Sequence, residues 1–295
     1  MSLSLSSVSL SAVVARLRAA GCVFAEDEAE LLVAQARTPA ELDEMADRRA
    51  AGLPLEQILG WAEFCGLRIT LEPGVFVPRR RTEFLVHEAI RCLRDPPDHP
   101  SATSAPASPK RLTSAARDKT VPPVVVDLCC GSGAVGTALG VLLGQAELYA
   151  ADIDPAAVRC ARRNLASAGG HVYEGDLYEP LPSALQGRVD VLVANAPYVP
   201  TREVALLPAE ARDHEPRVAL DGGADGLHTL RRVAAGALRW LVPGGHLLVE
   251  TSERQAPPIA AVMTCSGLSA LVAVSDELGT AAVIGTRPAA AVLPA

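Results

Sequence analysis

The order of hydrophobic and polar positions divides the chain into a helical part and a longer part in which strands alternate with helices. Near the start, apolar residues recur at helical spacing, at Val8, Leu10, Val13, Val14 and Leu17. Two more helices are predicted, one capped by Asp27 and one that opens at Thr38-Pro39. Residues 1–60 are therefore predicted to form a small helical domain, which we expect to dock the substrate.

The next two segments differ from this domain and from each other. Residues 61–94 combine strand-like alternation, broken by turn residues, with a helical pattern, which predicts a β-hairpin connector followed by a helix. Residues 95–123 are rich in Pro, Ser and Ala and contain almost no large apolar side chain. Such a segment buries too little surface to offset its ordering entropy, so we predict a disordered insertion.

Residues 124–295 alternate predicted strands and helices. The predicted strands are VVVDL, ELYAADID, HVYEGDL, VDVLVANAP, GGHLLVETS and SDELGTAAVIGTRP. This alternation predicts an α/β, Rossmann-like fold, with a mostly parallel sheet covered by helices on both faces. Ligands of such sheets bind beyond the carboxyl ends of the strands.

Residues typical of a nucleoside site follow the first three of these strands. Gly131, Ser132 and Gly133 come after the first and allow close approach of a ligand to the backbone. Asp152 ends the second, where an acid commonly binds ribose hydroxyls. Asp176, followed by Leu177, ends the third and would accept from an adenine amino group. Asp154 precedes a proline and is predicted to cap a helix.

Nicotinamide dinucleotides are the main rival ligand, because Gly131, Gly133 and Gly136 satisfy the G-x-G-x-x-G fingerprint. The fourth strand decides between the two ligands. It runs into Asn195-Ala196-Pro197-Tyr198, which resembles the N-P-P-Y signature of methyltransferases that act on planar nitrogen.

The chemistry of this signature follows from the amide group. An amide NH2 is a poor nucleophile, and acceptors at the Asn195 side-chain oxygen and the Ala196 carbonyl would orient it. Tyr198 would pack on the planar face of the group.

The chain resembles the HemK-like family of protein-(glutamine-N5) methyltransferases, which modify peptide-chain release factors. The resemblance rests on Asn195–Tyr198, on residues 53–60 and 63–67, on Val77–Glu83 and on Glu215–Leu227. It implies a class I methyltransferase fold, S-adenosyl-L-methionine as cofactor, and a protein substrate with an exposed glutamine, such as a release factor. It further implies that Cys129, Cys130, residues 131–133, Asp152 and Asn195 bind the cofactor and that residues 195–198 hold the glutamine.

Three positions depart from the family pattern. Ala196 stands for the first proline of N-P-P-Y, and Cys129 stands for the first glycine of the cofactor loop. Arg80 stands for a proline and creates the run Arg79-Arg80-Arg81, which either is solvated or contacts a partner.

Composition and charge limit the remaining alternatives. The formal net charge is -7, which is unlike a stable nucleic-acid binder. The seven cysteines include no C-x-x-C pair, so we expect neither a metal site nor a disulfide scaffold. We expect no signal peptide and no membrane span, and therefore a cytoplasmic enzyme. Adenine-N6 methylation of nucleic acid and cofactor binding without catalysis remain alternatives.

Overall fold

The computed structural model describes residues 7–94 and 121–289, with side chains from Leu10 onward. Its first four helices are α1 (Ser7–Ala19), α2 (Ala25–Gln35), α3 (Pro39–Ala50) and α4 (Leu55–Leu59). They share a hydrophobic core of their own in which Leu17 and Leu32 are fully buried. The predicted start of α3 at Thr38-Pro39 is confirmed, and the Thr38 side chain caps the helix by accepting from the Glu41 N–H at 3.1 Å. The predicted Asp27 cap is wrong, because α2 begins at Ala25 and Asp27 lies inside its first turn.

A hairpin and a helix follow this helical unit. Strands β1 (Trp61–Phe64) and β2 (Leu67–Thr70) pair antiparallel, so the predicted hairpin is confirmed. A short 3-10 turn at Arg80–Thr82 leads into α5 (Glu83–Arg94). The predicted insertion 95–123 lies outside the described residues except for its last three positions. The proposed domain boundaries stay a prediction.

A seven-stranded sheet forms the centre of the remaining chain. Its strands are β3 (Val124–Leu128), β4 (Glu147–Asp152), β5 (His171–Glu174), β6 (Val189–Ala194), β7 (Leu241–Thr251), β8 (Ser269–Ser275) and β9 (Thr280–Thr286). Their order in the sheet is β5-β4-β3-β6-β7-β9-β8. The first five strands in this order are parallel and the last two pair antiparallel, so the predicted Rossmann-like α/β sheet is confirmed.

Helices cover both faces of the sheet. They are α5, α6 (Ala134–Leu143), α7 (Pro155–Leu165), α10 (His228–Trp240) and α11 (Ala256–Cys265). Two short helices, α8 (Ala209–His214) and α9 (Arg217–Leu220), lie in the connection between β6 and α10. Alternate residues of β3 point to opposite faces. Val125 belongs to the core under α5, α6 and α7, and Val126 to the core under α10 and α11. The sequence patterns above did not predict α11 or β8.

The parallel pairing brings the carboxyl ends of β3, β4, β5 and β6 to one edge of the sheet. The residues predicted to bind cofactor and substrate follow these four ends directly. None of the helices in the two described ranges is long and apolar enough to cross a membrane.

Candidate active site

A cavity of about 250 Å³ opens at this edge of the sheet. It is lined by most of the predicted cofactor residues, namely Cys129, Cys130, Gly131, Ser132, Asp152, Asp176, Leu177 and Asn195. The segment Phe76–Thr82 and the turn around α9 also contribute to its wall. The structure therefore brings together residues that are far apart in the chain, as the end-of-strand argument predicts.

The loop after β3 needs left-handed backbone conformations. Gly133 has φ +75°, and a Cβ atom there would lie 2.4 Å from the Leu165 side chain, so only glycine fits. Cys129 adopts φ +55°, a region that costs an L-residue about 1–2 kcal/mol. The departure at Cys129 thus places a strained residue where the resemblance has a glycine. Burial raises the pKa of both the Cys129 and the Cys130 thiol, so these cysteines are protonated and not nucleophilic at neutral pH.

Asp152, the last residue of β4, holds this loop in place. Its Oδ2 accepts from the Gly131 N–H at 2.8 Å and its Oδ1 from the Asp154 N–H at 2.9 Å. Burial raises the pKa of Asp152, and the backbone donors of Asp154 and Gly131 oppose this rise. Asp154 accepts from the Ala156 N–H at 2.8 Å, which confirms it as the cap of α7. Each oxygen of Asp152 retains a lone pair that could accept from a hydroxyl group in the cavity.

Asp176 and Leu177 close the opposite wall of the cavity. The Asp176 carboxylate is paired with Arg232 of α10 at 2.7 Å, a partner that the sequence did not indicate. This ion pair uses Oδ2, so the other oxygen of Asp176 is the one placed to accept from an adenine amino group. That role stays a prediction.

Asp127 is a site residue that sequence reasoning missed. It is the one acid within the buried strand β3, and its Oδ2 accepts from the Gly136 N–H of α6 at 2.9 Å. Burial raises its pKa to about 7. The nearby Asp152 also raises this pKa, and the hydrogen bond from the Gly136 N–H lowers it. An acid inside an otherwise apolar strand was the signal that could have revealed it.

The Asn195–Tyr198 segment lies where this cavity meets a second one. The second cavity has a volume of about 350 Å³, and both cavities are lined by Asn195 and Phe76. Asn195 donates from Nδ2 to Thr82 Oγ1 at 3.4 Å. Tyr198 is largely buried and its hydroxyl accepts from Arg81 at 2.8 Å. Pro197 faces the first cavity, while Ala196 and Tyr198 face the second.

A glycine-rich loop at residues 222–226 packs against this segment. The Val199 N–H donates to the Leu220 carbonyl at 3.1 Å, and the Gly222 N–H donates to the Val199 carbonyl at 2.8 Å. A Cβ atom at Gly226 would lie 2.3 Å from the Tyr198 carbonyl oxygen. Glycine is therefore required for the loop to approach Asn195–Tyr198 this closely.

The arginine run is only partly solvated. Arg79 pairs with the buried Glu215 at 2.6 Å, and Arg81 pairs with the buried Glu250 at 3.2 Å. Burial raises the pKa of both glutamates, and their arginine partners oppose the rise. These four residues line the second cavity. Contact of the run with a partner stays a prediction. Arg80 and Arg81 are exposed at the surface, and Arg79 is half-buried.

The residues of the first cavity fit S-adenosylmethionine. At Gly131, in the left-handed loop at 129–133, the space that a Cβ atom would occupy has no neighbouring atom within 4 Å, so the backbone is open to a ligand. Asp152 offers acceptors for ribose hydroxyls, and Asn195 stands at the end from which the second cavity is reached. In the part of the chain that the structure describes, no cluster of three or more side chains could hold a metal ion.

Known proteins share this sequence and fold. The "Methyltransferase small domain" family matches residues 112–211. A release factor glutamine methyltransferase of Geobacter sulfurreducens is 36% identical, covering 81% of this chain and 75% of that protein. One of Agrobacterium fabrum is 33% identical, covering 95% and 96%. A 4-amino-L-phenylalanine/4-methylamino-L-phenylalanine methyltransferase of Streptomyces pristinaespiralis is 35% identical, covering 75% and 68%.

The solved structures confirm the fold. The catalytic domain of hMettl16, solved with the MAT2A 3'UTR hairpin 6, aligns with a TM-score of 0.54 and 12% identity, covering 85% of this chain and 84% of that one. At this identity the likeness shows the fold alone. Because several relatives are at least 30% identical over two thirds or more of their length, this chain belongs to the release factor glutamine methyltransferase family and is an S-adenosylmethionine-dependent methyltransferase.

Proposed function

We propose that this protein methylates the side-chain amide nitrogen, N5, of a glutamine in a peptide-chain release factor. The observation that carries the proposal is the position of Asn195, at the junction of a cavity that fits the cofactor and a second cavity of about 350 Å³. The names of the relatives from Geobacter sulfurreducens and Agrobacterium fabrum support the same substrate.

The chemistry requires orientation more than acid or base strength. When bound, S-adenosylmethionine supplies an activated methyl group on a sulfonium sulfur. The two N–H groups of the target amide donate hydrogen bonds, one to the Asn195 side-chain oxygen and one to the Ala196 carbonyl. These bonds direct the nitrogen lone pair toward the cofactor cavity. The cofactor would supply the methyl group and leave as S-adenosylhomocysteine, and the methylated amide nitrogen would lose one proton to water.

Tyr198 completes the target site. Burial raises the pKa of its hydroxyl, while Arg81 opposes the rise, so Tyr198 is neutral at physiological pH. Its hydroxyl is held by Arg81 at 2.8 Å, which fixes the ring beside Asn195 for packing against a planar amide.

One ion-pair cluster supports a role of the helical domain in docking a protein substrate. Arg49 of α3 is mostly buried and pairs with Glu28 of α2 at 2.6 Å and with Glu210 of α8 at 3.4 Å. Glu210 also lines the second cavity. A protein that contacts the helical domain would therefore lie beside the entrance to the glutamine site. The cytoplasmic location expected from the sequence stays part of this proposal.

A second candidate substrate is a free aromatic amine, which the Streptomyces pristinaespiralis relative favours. The test is incubation of the purified chain with methyl-labelled S-adenosylmethionine and four acceptors. They are bacterial release factors, a glutamine peptide, 4-amino-L-phenylalanine and an adenine-containing oligonucleotide. Mass mapping should place one methyl group on a glutamine side chain. Labelling of the amine or of adenine alone would overturn the proposal.

A further inference from the structure

One asparagine of α7 joins the β1–β2 hairpin to the cofactor loop. Asn164 accepts from the Thr70 N–H through Oδ1 at 2.9 Å and donates from Nδ2 to the Thr70 carbonyl at 2.9 Å. The same Nδ2 donates to the Ser132 carbonyl at 2.8 Å. Thr70 is the last residue of β2, and Ser132 is a residue of the loop at 129–133 that is 3% exposed. A single side chain therefore contacts both the hairpin and the cofactor loop.

The orientation of the Asn164 amide follows from its backbone partners. The Thr70 N–H can only donate, so it faces Oδ1, and the two hydrogens of Nδ2 then point at the two carbonyl groups. The three hydrogen bonds use the amide oxygen and both amide hydrogens. A short, planar side chain with one acceptor and two donors is required here, and asparagine provides it.

The Ser132 carbonyl belongs to the peptide unit at the turn of the cofactor loop. The other end of this unit is the Gly133 N–H, which donates to the Cys130 carbonyl at 2.7 Å. Asp152 holds the first half of the loop through an N–H group at 2.8 Å. Asn164 holds the second half through the Ser132 carbonyl, so the loop is fixed from β4 on one side and from α7 on the other.

Docking of the hairpin on α7 does not require the bond to Ser132. Glu72, which follows β2, pairs with Arg163 of α7 at 3.0 Å. The Cys160 thiol of α7 donates to the Thr70 carbonyl at 3.1 Å. These contacts already dock the hairpin, so the bond from the asparagine to the loop has a separate consequence, which is the position of the loop.

We propose that Asn164 is a positioning residue for cofactor binding, which holds the loop at 129–133 so that the N–H groups at the start of α6 face the cofactor. Ser132, Ala134 and Val135 line the first cavity. The N–H groups that open a helix have no partner inside it and favour a carboxylate. S-adenosylmethionine and S-adenosylhomocysteine both carry a carboxylate at their amino-acid end. The proposal does not depend on which substrate receives the methyl group.

Two substitutions remove the bond to the loop, and a control removes only a contact of the hairpin. Asn164→Leu keeps the approximate shape of the side chain, and Asn164→Ala leaves room for water. An effect that both variants share therefore does not come from a clash or a cavity. Arg163→Gln, one position away on α7, removes the ion pair with Glu72 in the hairpin and leaves the bond to the loop in place.

Calorimetry of each variant with two ligands separates positioning of the loop from a general loss of structure. The ligands are S-adenosylhomocysteine and methylthioadenosine, which lacks the amino-acid end and its carboxylate. We expect both Asn164 variants to raise the Kd of S-adenosylhomocysteine about three- to tenfold, as for loss of one hydrogen bond, and that of methylthioadenosine less than about twofold. Arg163→Gln should leave both Kd values within about twofold of the wild type.

Three outcomes of this titration would overturn the positioning role. The first is a Kd of S-adenosylhomocysteine within about twofold of the wild type in both Asn164 variants. The second is an equal rise for the two ligands, which is the result of a purely structural role. The third is a rise in Arg163→Gln as large as that in Asn164→Ala.

A second measurement does not need an Asn164 variant that folds. The chain contains two asparagines, Asn164 and Asn195, so labelling of asparagine with 15N gives two side-chain NH2 groups, and Asn195→Ala identifies them. Both hydrogens of the Asn164 NH2 should exchange slowly with solvent, because each is bonded to a carbonyl. Saturation with S-adenosylhomocysteine should slow the exchange further, since a bound carboxylate holds the loop in place. Exchange as fast as that of a free amide, or no change on saturation, would contradict the proposal.

Discussion

Removing the Asp152 carboxylate should weaken cofactor binding more than any other single change in the first cavity. Asp152 accepts from the Gly131 N–H at 2.8 Å and from the Asp154 N–H at 2.9 Å, and the remaining lone pairs are the proposed acceptors for ribose hydroxyls. Asp152→Ala therefore removes the ribose contact and the bond that shapes the loop.

The size of the effect follows from the type of hydrogen bond. A bond to a charged acceptor contributes about 1.5–3 kcal/mol, which corresponds to a Kd that rises about 10-fold to 150-fold. Asp152→Asn should fall between the wild type and Asp152→Ala, because its one oxygen can accept from only one of the two backbone donors.

Calorimetric titration with S-adenosylhomocysteine measures this effect directly, and Asp154→Ala is the matched control. Asp154 lies two residues away and caps α7, so its loss should lower stability by about 1 kcal/mol and leave the Kd within about threefold. A Kd for Asp152→Ala within about twofold of the wild type would refute the assignment of Asp152, as would tight binding of NAD.

Three further predictions test other parts of the site. Gly226→Ala should lower both Tm and kcat, because its Cβ would lie 2.3 Å from the Tyr198 carbonyl oxygen, and a variant with wild-type values would contradict the close approach. Asp127→Asn should reduce the loss of stability that occurs as the pH rises from about 4 to about 7, although Asp152, Glu215 and Glu250, whose pKa values are also raised, contribute to that loss in both proteins. The raised pKa of about 7 means that the folded protein binds the Asp127 proton more tightly than the unfolded chain over that range, so thermal melts with the same pH slope in both proteins would refute this. Ala196→Pro should give an unchanged or higher kcat, because the proposed acceptor is the backbone carbonyl, and a severe loss of kcat would show that the position needs the freedom of alanine.

The sequence pattern was sufficient for the elements that place the cofactor. Apolar, β-branched runs such as Val124–Leu128 predicted the strands, and parallel pairing then brought Asp152 and Asn195 to one edge of the sheet. Two of the elements that were missed, α11 and β8, lack this contrast, since α11 has two prolines in its first turn and β8 is an edge strand with partly exposed positions.

The contacts around Asn195 were not predictable in the same way. Thr82 lies 113 positions before Asn195, and nothing in the local pattern marks it as a partner. Arg79 and Arg81 resembled a solvated charge run, yet they pair with Glu215 and Glu250, which lie 136 and 169 positions away and are buried. Pairing of this kind depends on how distant loops pack over the sheet edge, and local periodicity carries no information about it.

Single-turnover methylation of a glutamine peptide by the wild type and by Asn195→Ala tests the central claim most directly. The protein is first saturated with S-adenosylmethionine, so that the measured rate reports transfer and not cofactor binding. Loss of one preorganised acceptor should slow transfer by about 10²–10³-fold, with cofactor affinity changed far less. Transfer to glutamine at the wild-type rate in Asn195→Ala would contradict the account.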